Sequence, residues 1–485
     1  VPRISSDLRR AHALAIRAAG VAELSEAALE FKTHRAAARY LLLGVAAQYR
    51  GNVERCTDHL YRALAQSEPA ERAYVVDLLV PILLMQDETR PVEALLDGLE
   101  PPAELAAAIV ALRAILLAKS DEPDAAEELC IEADRLSRGG EFTRARVLQR
   151  ISTAYYFMSD FERSGEAAKK SAAVFKRLGA HRSAAAALSV AYNIQHSYLG
   201  DVEEAYRLAK AMTSESRLAN DRSFAIGALV AQYELAAELG DAAKVAQLAS
   251  VIRAEALPEL YRERFARGLA DTLVYGWNGD FTAFNANAVL LRDATANGRA
   301  AKALASALRS LAVAALGDAA EARKSSRNAI ALASLHARGE AAYDARYRRI
   351  ARALAAATCI LIGDQVRGHR TVGGRSLRAD ADVQEIVRVA SGADWRAAGR
   401  RVRGYARVVA AVRDQIASAD NSPLTAAETE ILGFLAEGMS APQVAAQLGR
   451  SVHTVRAHTR AIIAKFNVSG RGAAISHARK IGLVA

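Results

Sequence analysis

Tyr198-Leu199-Gly200-Asp201-Val202-Glu203-Glu204-Ala205 decides how most of this chain folds, because its central dipeptide keeps returning. Gly-Asp or a relative of it stands at Gly51-Asn52, Gln86-Asp87, Ser120-Asp121, Ser159-Asp160, Gly200-Asp201, Gly240-Asp241, Gly279-Asp280, Gly317-Asp318 and Gly363-Asp364. Successive breaks lie 34 to 46 residues apart, the period of a stacked helical array. Each break has the chemistry of a tight helix–turn–helix. Glycine accepts the left-handed conformation that closes one helix, and Asp or Asn caps the next.

Packing positions keep the same register. Four residues after each Asp or Asn stand Cys56, Pro91, Ala125, Ser164, Ala205, Val245, Phe284, Ala322 and Gly368, mostly small. Eight residues after it stand Leu60, Leu95, Leu129, Ala168, Ala209, Ala249, Ala288 and Ser326. The two offsets lie one helical turn apart and form a stripe facing the partner helix. Residues 10–365 therefore resemble the tetratricopeptide repeat, at a longer period than usual and with degenerate aromatic positions. The resemblance implies an all-α, tetratricopeptide-like helical solenoid and says little about function. Gly368-His369-Arg370-Thr371-Val372-Gly373-Gly374-Arg375 reads as a loop, so the array is expected to end near Asp364. The expected domains are 1–365 (solenoid), 366–423 (connecting helices and linker) and 424–485.

The chain has 485 residues and a formal net charge of +10, yet thirteen Lys/Arg against five Asp/Glu fall within 395–485. Charge concentrated at one end points to a nucleic-acid-binding module on a nearly neutral body. Three scattered cysteines, Cys56, Cys130 and Cys359, exclude a disulfide framework and a Cys-based zinc site, and fit a reducing cytoplasm. Cys56 takes a small packing position and reads as a buried apolar residue. Apolar runs such as Val75–Met85 are too short to span a bilayer, and no signal-peptide pattern opens the sequence. Val1 is not a natural initiator, which points to N-terminal residues being absent or altered. Residues 380–391 and 394–418 read as connecting helices. The second carries Arg396, Arg400, Arg401, Arg403, Arg407 and Arg413, and reads either as an arm on DNA phosphates or as a solvated helix.

After Ala419-Asp420-Asn421-Ser422-Pro423 come four short helices with explicit punctuation. Thr425-Ala-Ala-Glu428 and Ser440-Ala-Pro-Gln443 are capping boxes, and Gly438 and Gly449 stop the helices they start. Ser451 caps the third helix two residues after Gly449, the spacing of a helix-turn-helix whose second member enters the DNA major groove. A fourth helix follows Ser469-Gly470. In the third, Val455, Thr459, Ile462 and Phe466 face the core. His453, Arg456, Ala457 and Arg460 form a cationic outer stripe with one small residue for close approach to bases. Thr454 is placed for a phosphate. His453 and His458 stand about 140° apart around a helix and cannot share a metal ion.

Leu424-Thr425, Glu428, Glu430, Ile431-Leu432, Glu437-Gly438-Met439-Ser440, Val444-Ala445 and Leu448 occur in the order of the LuxR-type DNA-binding domain, which residues 424–485 resemble. Ser451, Thr454-Val455-Arg456, His458, Ile462, Lys465-Phe466, Val468, Arg471, Ala474, Ala478 and Gly482-Leu483 continue the match. The resemblance implies DNA contacts by Ser451, His453, Thr454, Arg456, Ala457, Arg460 and Lys465, and dimerisation through Ala474, Ile475 and Ala478. Ala427 and Ala441-Pro442-Gln443 depart from the family's Arg and Asn-Lys-Glu. The second departure removes a positive charge near the DNA backbone. Repeats followed by this module also resemble the C-terminal half of the large ATP-dependent LuxR regulators, without their NTPase domain.

No Gly-x-x-x-x-Gly-Lys-Ser/Thr, Gly-x-Gly-x-x-Gly, Gly-x-Ser-x-Gly or His-Glu-x-x-His motif occurs, so no enzyme, cofactor or metal is expected. The expectation is a bacterial transcription regulator that binds double-stranded DNA as a homodimer, with RNA polymerase as a possible partner and no membrane. Its repeats sense a small-molecule effector or protein. The alternative is a repeat scaffold that recruits a partner protein and uses the module as a DNA tether. Tyr155, Tyr192, Asn193, His196, Tyr233, Tyr275 and Trp277, on first helices of the middle repeats, are candidates to line an effector pocket. Aromatic packing between stacked repeats is the competing account.

Overall fold

Helix pairing follows from the breaks. Gly200, Gly240, Gly279, Gly317 and Gly363 all take left-handed backbone conformations, φ 67–88°. The following Asp201, Asp241, Asp280, Asp318 and Asp364 each accept the amide three residues on, at 2.9–3.2 Å. In this computed structural model the described residues are 6–17, 21–31, 36–50, 52–86, 88–255, 261–294, 298–334, 342–374, 377, 380–420, 424–480 and 483–484. Gly51, Asp87, Asn421-Ser422-Pro423 and Gly482, all used in the sequence reading, lie outside them. The described residues contain no strand, and no helix among them is long and apolar enough to cross a membrane.

The body is a row of helix pairs: Ser6–Arg17 with Val21–Glu30, Ala36–Tyr49 with Val53–Ala65, Arg72–Met85 with Thr89–Leu96, Ala103–Lys119 with Pro123–Ser137 and Glu141–Phe157 with Phe161–Arg177. His181–Leu199 pairs with Val202–Leu218, Arg222–Glu238 with Ala242–Glu255, Tyr261–Trp277 with Phe281–Ala294, Arg299–Ala315 with Ala319–Ser334 and Ala342–Leu361 with Gln365–Thr371. The small-residue stripe is buried as expected at Cys56, Leu60, Ser164, Ala168, Ala205, Ala209, Phe284, Ala288, Ala322 and Ser326, while Ala249 is half-buried.

Two repeats slip by one residue. Val92 and Leu96 are buried in place of Pro91 and Leu95, and Ala126 and Cys130 in place of Ala125 and Leu129. At Ser120-Asp121 the cause is visible. There Asp121 itself, not the residue before it, takes the left-handed turn (φ 64°), so the N-cap moves one residue on to Glu122 and the helix starts at Pro123. The expected loop at Gly368 is also corrected. Gln365–Thr371 is a helix, capped by Asp364, and Gly368 is buried so closely that a Cβ would come within 2.6 Å of Ile360.

Contacts between distant pairs define the superhelix. The Arg17 guanidinium lies 5.2 Å from the Phe142 ring, Arg182 lies 3.4 Å from Tyr49, and Arg346 Nη1 is 3.0 Å from His196 Nε2. Each contact joins first helices about four pairs apart, so the array coils tightly, with each turn resting on the one before.

The arginine-rich connecting segment is not a solvated helix but a packed one, with Arg396 and Arg400 keeping exposed side chains. Its long helix is Arg403–Asp420, and Tyr405, Ala406, Val408, Val409 and Val412 on it, with Val402 just before it, are fully buried. It packs along the inner face against Arg222–Glu238, Tyr261–Trp277, Arg299–Ala315 and Ala342–Leu361, within a single hydrophobic core. Gly404 is required there by space: a Cβ would overlap the carbonyl oxygen of Ala237. Three arginines are held internally, Arg403 on Ala398 O, Arg407 on Gly240 O and Arg413 on Val389 O and Ala393 O. Alternating Ala and Val among arginines has a polar side and an apolar side, and the apolar side decided the placement.

Candidate nucleic-acid interface

The C-terminal helices Ala426–Ala436, Ala441–Leu448, Val452–Lys465 and Arg471–Lys480 surround their own core, built on Leu424, Ile431, Leu432, Leu435, Val444, Val455, Ile462 and Phe466. Thr425 Oγ1 accepts the Glu428 amide at 3.3 Å while Glu428 Oε2 accepts the Thr425 amide at 2.7 Å. Gln443 Oε1 accepts the Ser440 amide at 2.8 Å. Gly449, left-handed at φ 61°, ends the second helix, and Ser451 caps the third by accepting the Thr454 amide at 3.0 Å. This tight turn fixes the third helix across the second.

On the third helix His453, Arg456, Ala457 and Arg460 are exposed together, and Val455 and Ile462 are buried beneath them. The structure thus brings the expected reading stripe onto one open face, with Ser451 exposed and Thr454 half-exposed at its N-terminal end. A helix N-terminus edged with hydroxyls and amides suits a phosphate.

Lys465 does something else. Its ammonium donates to Glu428 Oε2 at 2.5 Å, fastening the end of the third helix to the start of the first. Burial raises the pKa of the Glu428 carboxyl, but Lys465 and the Thr425 amide outweigh it and hold the group below the usual range. The expected dimer residues need correction too. Ala474 and Ala478 are buried in the domain core, leaving Ile475, half-buried, as the one of the three with surface to offer. Small residues at i and i+4 on a short helix met the core because the domain is too small to bury that face otherwise.

None of the seven effector candidates lines either of the two cavities of about 470 and 420 Å³ beside the connecting segment. Tyr155 is half-buried with the Arg163 guanidinium 4.5 Å from its ring. Tyr192 is buried and stacks on His196 at 5.7 Å, and Asn193 is half-buried beside it. Tyr233 donates to Asp271 at 2.6 Å, Tyr275 is exposed, and Trp277 donates its indole N–H to Gly404 O at 2.9 Å. Tyr192, His196, Tyr233 and Trp277 are thus engaged between helices, and the last of these contacts anchors the inner helix.

His196 belongs to a buried ionic cluster that sequence reading missed. The last turn of its helix, Gln195–Leu199, widens to π-helical geometry, and this faces His196 towards Glu238 at 2.9 Å. Arg346 donates to both Glu238 oxygens at 2.8 and 3.0 Å, and Tyr405 Oη donates to the same carboxylate at 2.8 Å. Burial raises the Glu238 pKa, yet the guanidinium and imidazole beside it leave it well below the usual range. His196, Glu234 and Glu238 are close enough together to suggest a cation site, but the Arg346 guanidinium already supplies the positive charge. A second cluster, His12 and Arg146 on Asp77 Oδ2 at 2.7 and 2.6 Å with Arg150 on the Asp77 carbonyl at 2.8 Å, ties the N-terminal pairs. No motif marks these residues, because their partners lie 42 to 167 positions away in sequence.

A capped helix-turn-helix with an exposed cationic reading face, carried on a superhelical repeat body, defines a DNA-binding regulator. Residues 422–478 match the family described as bacterial regulatory proteins, luxR family, so the chain carries a LuxR-family DNA-binding domain. A domain of this kind is not itself an enzyme. No curated protein sequence matches the chain. Among solved structures, BtubC (BKLC) from P. vanneervenii is 17% identical, with TM-score 0.31, over 43% of this chain and 91% of its own. A Signal Transduction ATPase with Numerous Domains (STAND) protein with a tetratricopeptide repeat sensor, from Pyrococcus horikoshii, is 15% identical, with TM-score 0.40, over 73% of this chain. The chain spans about half (52%) of that protein's length.

Proposed function

We propose that the solenoid controls where the LuxR-family domain can bind, through the helix Arg403–Asp420. The observation that carries this reading is that the segment leading into the DNA-binding domain is rooted in the inner face of four helix pairs rather than free. A signal received by the repeats changes the grip on this helix. It acts only by binding the gripped or released state better. The whole chain is then a non-catalytic regulator. DNA is contacted by Ser451, His453, Thr454, Arg456, Ala457 and Arg460, with Lys465 kept as a structural tie. Binding is dimeric, on half-sites about 10 base pairs apart. Ile475 and the exposed Ala473 and Ser476 beside it supply the dimer surface.

The test uses a duplex selected from a random library by the full chain. Arg456→Ala and Arg460→Ala should each cost about 1–3 kcal/mol on that duplex. The log–log salt slope should be steep, about −0.9 per neutralised phosphate. Wild-type affinity in both variants, or a flat salt dependence, would overturn the reading of that face.

A further inference from the structure

Where the connecting segment approaches the inner helix it forms, with the body, a cavity of about 470 Å³, within the size range of small-molecule sites. One wall is solenoid, with Glu203, Leu239, Asp241 and Lys244. The other is the segment itself, with Trp395, Arg396, Arg400 and Arg403. Four cationic side chains thus face two carboxylates. Both carboxylates are engaged, Glu203 by Arg400 and Asp241 by Lys244 at 3.1 Å. Arg403 spends its guanidinium on the neutral Ala398 carbonyl. The Arg396 side chain, 72% exposed, meets Asp394 only at 3.5 Å and lies 5.0 Å from the Trp395 ring. The cavity keeps an excess of positive charge beside an indole and a leucine.

A second cavity, of about 420 Å³, lies against the other side of the Arg400–Glu203 pair with the opposite balance: Asp201, Glu203, Asp382 and Glu385 against Arg400 and Arg401. Charge along this seam is therefore sorted, not uniformly basic. A generally basic surface would not leave an acidic cavity beside a cationic one.

We propose that the cationic cavity binds a small dianionic metabolite, a phosphate monoester or a dicarboxylate, whose apolar part lies against Leu239 and Trp395. Guanidinium forks match either anion in two parallel hydrogen bonds. The proposal deepens the sensor reading above and rests on it for its consequence. Because one wall is solenoid and the other is the connecting segment, the ligand gains all its contacts only while the segment is docked. It therefore favours the gripped state of Arg403–Asp420.

The experiment titrates the full chain with phenyl phosphate, phthalate, inorganic phosphate and phenol, read by calorimetry and tryptophan emission. Phenyl phosphate or phthalate should bind, which one deciding between the two anion types. Inorganic phosphate should bind more weakly and phenol not at all. Lys244→Ala on one wall and Arg396→Ala on the other should each weaken binding about tenfold. The proposal is overturned if neither aromatic anion binds, or if affinity survives the double substitution. It also falls if Lys244→Ala and Arg396→Ala weaken DNA binding with no ligand present, which would make the cavity a DNA-phosphate contact. Binding that leaves affinity for the selected duplex unchanged upholds the site and overturns the sensor coupling instead.

Discussion

Gly404→Ala places one methyl group where the inner helix passes closest to the body. A Cβ at 404 would overlap the Ala237 carbonyl oxygen and lie 2.9 Å from that of Glu238. Both are backbone atoms at the end of a packed helix, so neither can swing aside and the inner helix must move. Overpacking of this kind costs about 1–3 kcal/mol. Moving the helix also draws the Gly404 carbonyl away from the Trp277 indole N–H, now 2.9 Å off, and a buried donor left without its acceptor costs about 1–3 kcal/mol more. The two terms total about 2–6 kcal/mol, comparable with the whole stability of an ordinary domain. Undocking of the helix caps that penalty, so the expected variant is folded but released. Trp277 and Trp395 both lie against Arg407, at 4.7 and 5.3 Å, and they are the only tryptophans in the chain. Their emission should shift to the red, and the urea midpoint of the body should fall, while the DNA-binding domain, on its own core, unfolds as before. Gly433→Ala serves as control, since a Cβ there meets nothing within 4 Å and a helix favours alanine. A Gly404→Ala protein with wild-type emission and midpoint would refute the packing argument.

Thr425→Ala should lose about 1 kcal/mol from the DNA-binding domain through its cap, visible in thermal melts followed by circular dichroism. Glu428 has a lowered folded-state pKa, so its stabilisation is present above the ordinary carboxylate range and disappears as pH falls through the lowered value. Melting of this domain should therefore weaken on acidification below about pH 4.3, and less so in Lys465→Gln, which already lacks the tie at neutral pH; equal acid sensitivity in both would discount the pair. Ala478→Leu should lower the domain's melting temperature by overpacking, about 1–3 kcal/mol, whereas a stable domain that has lost only its self-association would put Ala478 back at an interface. Burial pushes the Cys56 thiol up to about 11 and Cys130 up to about 12, and Cys359 is buried too. A thiol reagent at pH 8 should label none of the three until denaturant is added.

The local rules were legible in the chain itself. Gly-Asp punctuation set the helix pairs, and where the glycine or its stand-in preceded the cap the residues four and eight positions later were buried, Ala249 alone among those described being half-buried. Asp121 shows the limit of that rule, since there the Asp rather than the residue before it took the left-handed turn, and the buried stripe slipped by a residue. The reading stripe His453, Arg456, Ala457 and Arg460 was equally legible, because on a short helix with one buried face the remaining positions have nowhere else to point.

Identity and spacing alone could not tell which polar groups had partners inside the molecule. Lys465 and Arg456 look alike in sequence, yet one closes on a carboxylate 37 residues away and the other stays open. Ala474 and Ala478 had to be core or interface, and packing chose core. Above all, an arginine-rich helix was drawn into the solenoid by its Ala and Val side, and Glu238, His196, Arg346 and Tyr405 met from four distant segments. Periodicity reports which face of a helix is apolar. Only the closed superhelix decides what covers that face, because the covering surface is made by chain far away in sequence.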